Sequence, residues 1–180
     1  MRGSSIRSAA AILFCLLLAA PGHSQKEKRE PLTGPQIEEI RESGIDPNKR
    51  ISLYTKYLDQ HAETIKGLTS RVRSDARARR LDNELQDFTA LMDELGANLD
   101  VYSERKADIR KALKPLNETT QRWLGLLRAL AGEPIFDLSR KEAIESAEDL
   151  AADSRRMEDE QIEYFKLHKD EQGQDRAEPK

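Results

Sequence analysis

Apolar residues three and four positions apart run almost unbroken through the middle of this chain, and that spacing restricts it to helices. Ile51, Tyr54, Leu58, His61, Ile65, Leu68 and Val72 fall on one such series. Residues spaced this way share one stripe of an α-helix, whereas a half-buried strand needs alternation at every second residue. The series resumes at Leu81, Leu85, Phe88, Met92, Leu95, Leu99 and Tyr102 and continues through Ile109 to Leu113. It predicts one long helix from about Ser74 to Lys114, because Gly96 stands alone without a companion proline.

Local signals set the ends. Thr33 and Gln36 have capping-box spacing, with Leu32 and Ile37 at the hydrophobic-staple positions, so a short helix should open there and stop at Gly44. Asp46 is placed to cap the next helix, with Pro47 in the first turn where a missing N–H costs little. Pro115 removes a backbone donor and disfavours helix at Lys114, so the long helix should kink or end there. Leu116, Trp123, Leu124, Leu127 and Leu130 carry a further helical stretch that Gly132, Glu133 and Pro134 stop. A second capping box, Ser139 with Glu142, should open a last helix running through Ile144, Ala147, Leu150, Ala151, Met157, Ile162 and Phe165. Ala143, Ala147 and Ala151 would let that helix approach its neighbours closely.

The expected fold class is therefore all-α. It is an antiparallel helical bundle of about four main helices plus a short N-terminal helix, forming a single domain over residues 32–169. Seven-residue spacing would also suit an intermolecular coiled coil, but the intramolecular bundle is favoured.

Arg2 and Arg7 precede an unbroken apolar run from Ala9 to Ala20, which Pro21, Gly22, His23 and Ser24 then break. That order is the plan of a secretory signal peptide over residues 1–24. The run is too short for a membrane-spanning helix of about twenty residues, although a retained signal anchor is the alternative. Gly22 and Ser24 would occupy the −3 and −1 positions of a cleavage that leaves a chain from Gln25 to Lys180, with no stable transmembrane segment. The expected location is exported, periplasmic or extracellular. Residues 25–31 and 170–180 are polar enough to form a disordered lead-in and tail. Cys15 is the only cysteine and lies inside the apolar run. An exported chain would then carry no disulfide, no thiolate metal site and no cysteine nucleophile.

The whole chain has a formal net charge of −3 and becomes more acidic once Arg2 and Arg7 are removed. That balance argues against a nucleic-acid partner, for which a strongly basic domain is expected. Charge is nevertheless banded. Arg71, Arg73, Arg77, Arg79 and Arg80 crowd one stretch in which Asp75 is the only acid. Asp82, Glu84, Asp87, Asp93, Glu94, Asp100 and Glu104 follow, and then Arg105, Lys106, Arg110, Lys111 and Lys114. On one continuous helix the two basic blocks would lie on the order of 50 Å apart. The arginine block is a candidate contact for lipid headgroups, envelope polysaccharide or an acidic protein. The simpler expectation is a solvated face paired with acids such as Asp149, Asp153, Glu158, Asp159, Glu160 and Glu163 of the last helix.

Little catalytic chemistry is visible. His61 sits on the apolar stripe as a hydrogen-bonded core or boundary residue, and His168 lies among lysines. Neither follows a glutamate three residues earlier, as the ligands of a di-iron bundle would. Haem-attachment, phosphate-loop and nucleophile-elbow motifs are all missing from the sequence, and no carboxylate pair stands out for acid–base work. Asn117, Glu118 and Thr119 match a glycosylation sequon, but inside a predicted helix. No enzyme activity, cofactor or metal site is expected. Tyr54, Tyr57, Tyr102 and Trp123 are candidate lining for a small apolar ligand between helices.

Leu32, Thr33 and Gln36, spaced Leu-Thr-x-x-Gln and followed by Ile37 and Ile40, resemble the short motif of the Spy and CpxP family of periplasmic helical chaperones and stress proteins. The resemblance implies a helix opening in a curved all-helical dimer that binds partly unfolded clients. The motif occurs once here, where that family shows it twice, and the rest of the chain does not follow the family pattern, so membership is not assigned. The expected function is that of an exported, non-catalytic helical protein that binds a protein or an envelope component. The alternatives are a bundle carrying a small ligand or metal, and a chaperone-like stress protein.

Overall fold

The Asp46 carboxylate accepts hydrogen bonds from the backbone N–H groups of Asn48 (3.0 Å) and Lys49 (3.1 Å), and the first long helix starts at Pro47 as its capping signal requires. Ser74 caps the next helix through its hydroxyl, which accepts from Arg77 N–H at 3.2 Å. The computed structural model describes residues 30–173. The expected signal peptide, residues 25–29 of the lead-in and residues 174–180 lie outside the described residues. The helices are α1 (Gly34–Glu42), α2 (Pro47–Thr69), α3 (Asp75–Glu104), α4 (Arg110–Ala129) and α5 (Asp137–Leu167), with no strand among the described residues. At α1, Thr33 N–H donates to Gln36 Oε1 at 2.7 Å, which is the glutamine half of the capping box.

The four long helices form a square. α2 packs on α3 and α4, and α5 packs on the same two, so α2 faces α5 across one diagonal and α3 faces α4 across the other. Cross-helix hydrogen bonds give the directions. Tyr54 to Glu94 and His61 to Glu84 run α2 antiparallel to α3. Asn117 to Glu158 and Arg128 to Glu148 do the same for α4 and α5. Ser139 to Asp82 and Ser146 to Asp93, however, run α3 parallel to α5. Ala112 to Asn48 and Trp123 to Asp59 run α2 parallel to α4. Each long helix is antiparallel to the next in sequence, yet each has one parallel neighbour.

That topology requires the α3–α4 connection to cross the end of the bundle diagonally. With axes about 10 Å apart on each side the diagonal is roughly 14 Å, within reach of the five residues Arg105 to Ile109. The helix expected to run on to Lys114 therefore stops at Glu104. Lys106 takes a positive φ of 55°, its N–H donates to Ser103 O (3.1 Å), and Ala107 N–H donates to Tyr102 O (3.0 Å). These two bonds close a Schellman motif with lysine in the place glycine usually fills. Beyond it Ala107 and Ile109 are fully buried.

Two side-chain amides hold the crossing from opposite sides. Gln161 of α5 accepts from Ile109 N–H (3.1 Å) and donates to Ala107 O (2.8 Å). Asn48 of α2 accepts from Ala112 N–H (3.1 Å) and donates to Asp108 O (2.7 Å). The Asp108 carboxylate receives two bonds from the Arg110 guanidinium (2.8 and 2.7 Å) and one from Gly173 N–H (3.0 Å). Arg110 above all, against partial burial, holds the Asp108 pKa below the usual carboxylate value. Chain beyond Asp170, where a polar tail was expected to begin, thus still bonds back to the bundle at Gly173.

Four other expectations are corrected. Pro115 neither ends nor divides a helix but lies inside α4, exposed, where the lost hydrogen bond faces solvent. Val72 leaves the apolar stripe for the α2–α3 turn and is 88% exposed. Ser139 is not a cap: α5 begins two residues earlier at Asp137, behind buried Phe136, and the Ser139 hydroxyl donates to Asp82 at 2.6 Å. Ile162 is exposed, and the inward place between Met157 and Phe165 belongs to Gln161. Elsewhere the stripes meet as the spacing requires, with Phe88 and Trp123 edge to face at 5.6 Å and Ala143 and Ala147 fully buried.

Replacing Gln161 with leucine keeps the volume but leaves Ile109 N–H and Ala107 O buried without partners. Urea denaturation is expected to show Gln161→Leu less stable by about 3 kcal/mol. The same change at exposed Gln121 should stay within about 0.5 kcal/mol.

Candidate functional site

The α2–α3 turn and the α4–α5 turn lie side by side at one end of the bundle, and the arginine block divides there into one buried member and four exposed ones. Arg77, in the first turn of α3, is 8% exposed. Its Nε–H donates to the Leu68 carbonyl at 2.9 Å, capping the C-terminal end of α2, and its guanidinium also bonds Glu133 at 2.7 Å. Glu133 sits in the α4–α5 turn, so this side chain ties the two turns together. Arg73 is exposed and reaches the same carboxylate only at 3.8 Å. Arg71, Arg79 and Arg80 are exposed, and no ion pair joins them to another described residue.

None of the acids of α5 named as partners for the block forms an ion pair with it among the described residues, and Glu163 pairs instead with Lys166. Asp153 and Glu160 pair with Arg156 of the same helix, and Glu158 accepts from Asn117. The second basic block, from Arg105 to Lys114, lies at the opposite end of the bundle, so the two blocks form no common patch. Between the turns a groove of about 320 Å³ is lined by Arg71, Arg73, Leu126, Leu130 and Glu133. The exposed tips around it are aliphatic: Val72 at 88%, Leu138 at 69% and Ile135 at 40%.

A second concave region lies where α1 packs on α2, beside Glu94 of α3. A cleft of about 410 Å³ has Leu32, Ile37 and Ile40 on one wall and Arg50, Tyr54 and Glu94 on the other. Tyr54 donates to Glu94 at 2.5 Å, and burial first, then that carboxylate, pushes its pKa up to about 12. Arg50 Nε is buried without a hydrogen-bond partner among the described residues. On the same flank Tyr57 donates to Glu39 of α1, and its pKa is also pushed up to about 12 by burial and by that carboxylate.

His61 latches the start of the described chain to this region. Its Nδ1 lies 2.7 Å from Glu84 Oε1 and its Nε2 3.1 Å from the Pro31 carbonyl oxygen. Both partners are acceptors, so only the imidazolium can donate to both. Burial opposes that charge, but Glu84 above all, with the Pro31 carbonyl and Asp87, outweighs it and raises the pKa above 6.5.

The remaining candidates have structural roles. Trp123 is buried and donates to Asp59 at 2.8 Å, and Tyr102 is partly buried against the core. Of the four aromatic candidates only Tyr54 lines the larger cleft. Asn117 is inside α4 with its amide bonded to Glu158 at 2.6 Å, out of reach of a glycosylating enzyme in the folded state. Among the described residues no three His, Cys, Asp or Glu side chains are grouped to hold a metal ion, and no helix is long and apolar enough to cross a membrane. Comparison with family models, with curated proteins and with solved structures finds no match for this chain.

Two measurements test these assignments. Arg77→Met should lose about 2–3 kcal/mol of unfolding free energy by breaking a buried pair and a helix cap, while Arg79→Met should stay within about 0.5 kcal/mol. Because the folded-state pKa of His61 is raised, its stabilisation is complete below the unfolded value near 6.5 and fades as pH rises through the folded value. Unfolding free energy measured from about pH 6 to pH 9 should therefore fall by more in the wild-type protein than in His61→Gln.

Proposed function

We propose that this chain is an exported, non-catalytic helical protein that works by binding an anionic component of the cell envelope through the arginine-bearing end of its bundle. The observation that carries the proposal is the division of labour among the arginines. Arg77 is consumed by the fold, whereas Arg71, Arg73, Arg79 and Arg80 are exposed, and only Arg73 approaches a described carboxylate, at 3.8 Å. Position along the helices adds to this. Arg71 and Arg73 follow the C-terminal end of α2, where a cation is locally favourable. Arg79 and Arg80 follow the N-terminal end of α3, where helix electrostatics gives no reason for them. Export rests on the basic start and apolar run of residues 1–24.

Isolated envelope material should retain the purified protein at low salt and release it near 1 M salt, where the screening length is roughly 3 Å. Charge reversal at Arg71 and Arg73 should abolish retention. Retention that survives the reversal, or none at any ionic strength, would count against the proposal.

The cleft between α1, α2 and α3 supports a second use, as a site for a small amphipathic molecule with its apolar body on Leu32, Ile37 and Ile40 and an anionic group toward Arg50. Native mass spectrometry of protein from its own source should then show a bound mass that Ile40→Trp excludes. Protein carrying nothing would leave this use without support.

A further inference from the structure

We infer that the partner of the arginine-bearing end is the surface of an anionic lipid membrane, touched by both turns at once; this rests on the proposal that the chain works by binding at that end. Arg71, Val72 and Arg73 are consecutive at the tip of the α2–α3 turn and all exposed, and Ile135 and Leu138 flank the α4–α5 turn beside it. Exposed aliphatic side chains on both turns, with Arg71 and Arg73 on either side of Val72, place apolar groups and cations together at this end of the bundle. A fluid surface can receive both together. Aliphatic groups enter the boundary between headgroups and acyl chains, while arginines stay level with the phosphates.

Hot spots of protein interfaces combine Trp, Tyr and Arg in well-packed pockets, and these two turns offer arginine without an exposed aromatic anchor, since their one aromatic residue, Phe136, is fully buried. Acids nearby do not cancel the field. Glu133 is bound by Arg77 and approached by Arg73, and Asp137 is paired with Arg140 and Lys141, which leaves Asp75 and Glu142 as the exposed opposing charges. Ile45 and Leu167 at the other end are nearly as exposed as Val72, and the second basic block, Arg105 to Lys114, lies there too. That block, however, shares its end with Asp46, Glu104, Asp108, Glu163 and Asp170, and Asp108 binds Arg110.

The test is co-sedimentation of the full chain with phosphatidylglycerol vesicles and with phosphatidylcholine vesicles, comparing variants that all keep the N-terminal apolar run. Binding should favour the anionic vesicles. Arg71→Gln with Arg73→Gln should weaken it about tenfold or more at low salt, on the scale of a several-fold loss per surface-facing basic residue. Val72→Ser with Leu138→Ser should weaken it severalfold and keep that effect at high salt, where charge is screened. Arg77 is left intact, and unchanged thermal unfolding of each variant confirms that the fold is retained. Equal binding to both kinds of vesicle, or no loss in either variant, overturns the inference. Absent vesicle binding together with arginine-dependent retention on envelope material overturns the lipid assignment and leaves the binding proposal standing.

Discussion

The diagonal crossing from α3 to α4, held by the side-chain amides of Asn48 and Gln161, is the constraint on which the arrangement of helices depends. Four backbone polar groups there, on Ala107, Asp108, Ile109 and Ala112, find partners in two amide side chains. Such groups are costly to bury unpaired, so a bundle that buries this crossing needs both amides in place. Because the crossing is diagonal, α4 lies beside α2 and α5 beside α3, each pair parallel. Trp123 can then reach Asp59, and Ser139 can reach Asp82.

Parallel packing has an electrostatic consequence at the far end. The N-termini of α3 and α5, each carrying a positive partial charge, are neighbours there, and so are the C-termini of α2 and α4. Arg77 joins the two sides by capping the Leu68 carbonyl and binding Glu133, and Asp75 and Asp137 stand in the first turns of the two N-termini. The structural needs of this end are met by one arginine and three acids. The other four arginines are not used in that balance, and being exposed they are the part of this end best placed to meet an anion.

The apolar spacing was enough to read the helices and most of the core, because burial of a stripe leaves a periodic trace. The break after Glu104 left none, since Lys106 adopts the left-handed conformation without the glycine that would have announced it. Pro115 was the opposite case, a loud signal with little effect at an exposed position. Gln161 did leave a trace, as an amide on the apolar stripe between Met157 and Phe165, where a side chain without a partner would be costly. At the candidate site the arginine run was plain, but which arginine the fold uses was not. Glu133 lies 56 residues from Arg77, and only tertiary structure brings them together. The cleft beside α1 was hidden for the same reason, and of its residues the aromatic pattern pointed to Tyr54 alone.

Amide hydrogen exchange, followed residue by residue with and without phosphatidylglycerol vesicles, tests the asymmetry of the bundle most directly. Slowed exchange in the turns Ser70–Ser74 and Leu130–Phe136, with Arg105–Ile109 unchanged, is the expected result. Slowing at the Arg105–Ile109 end, or an even change along all five helices, would contradict it.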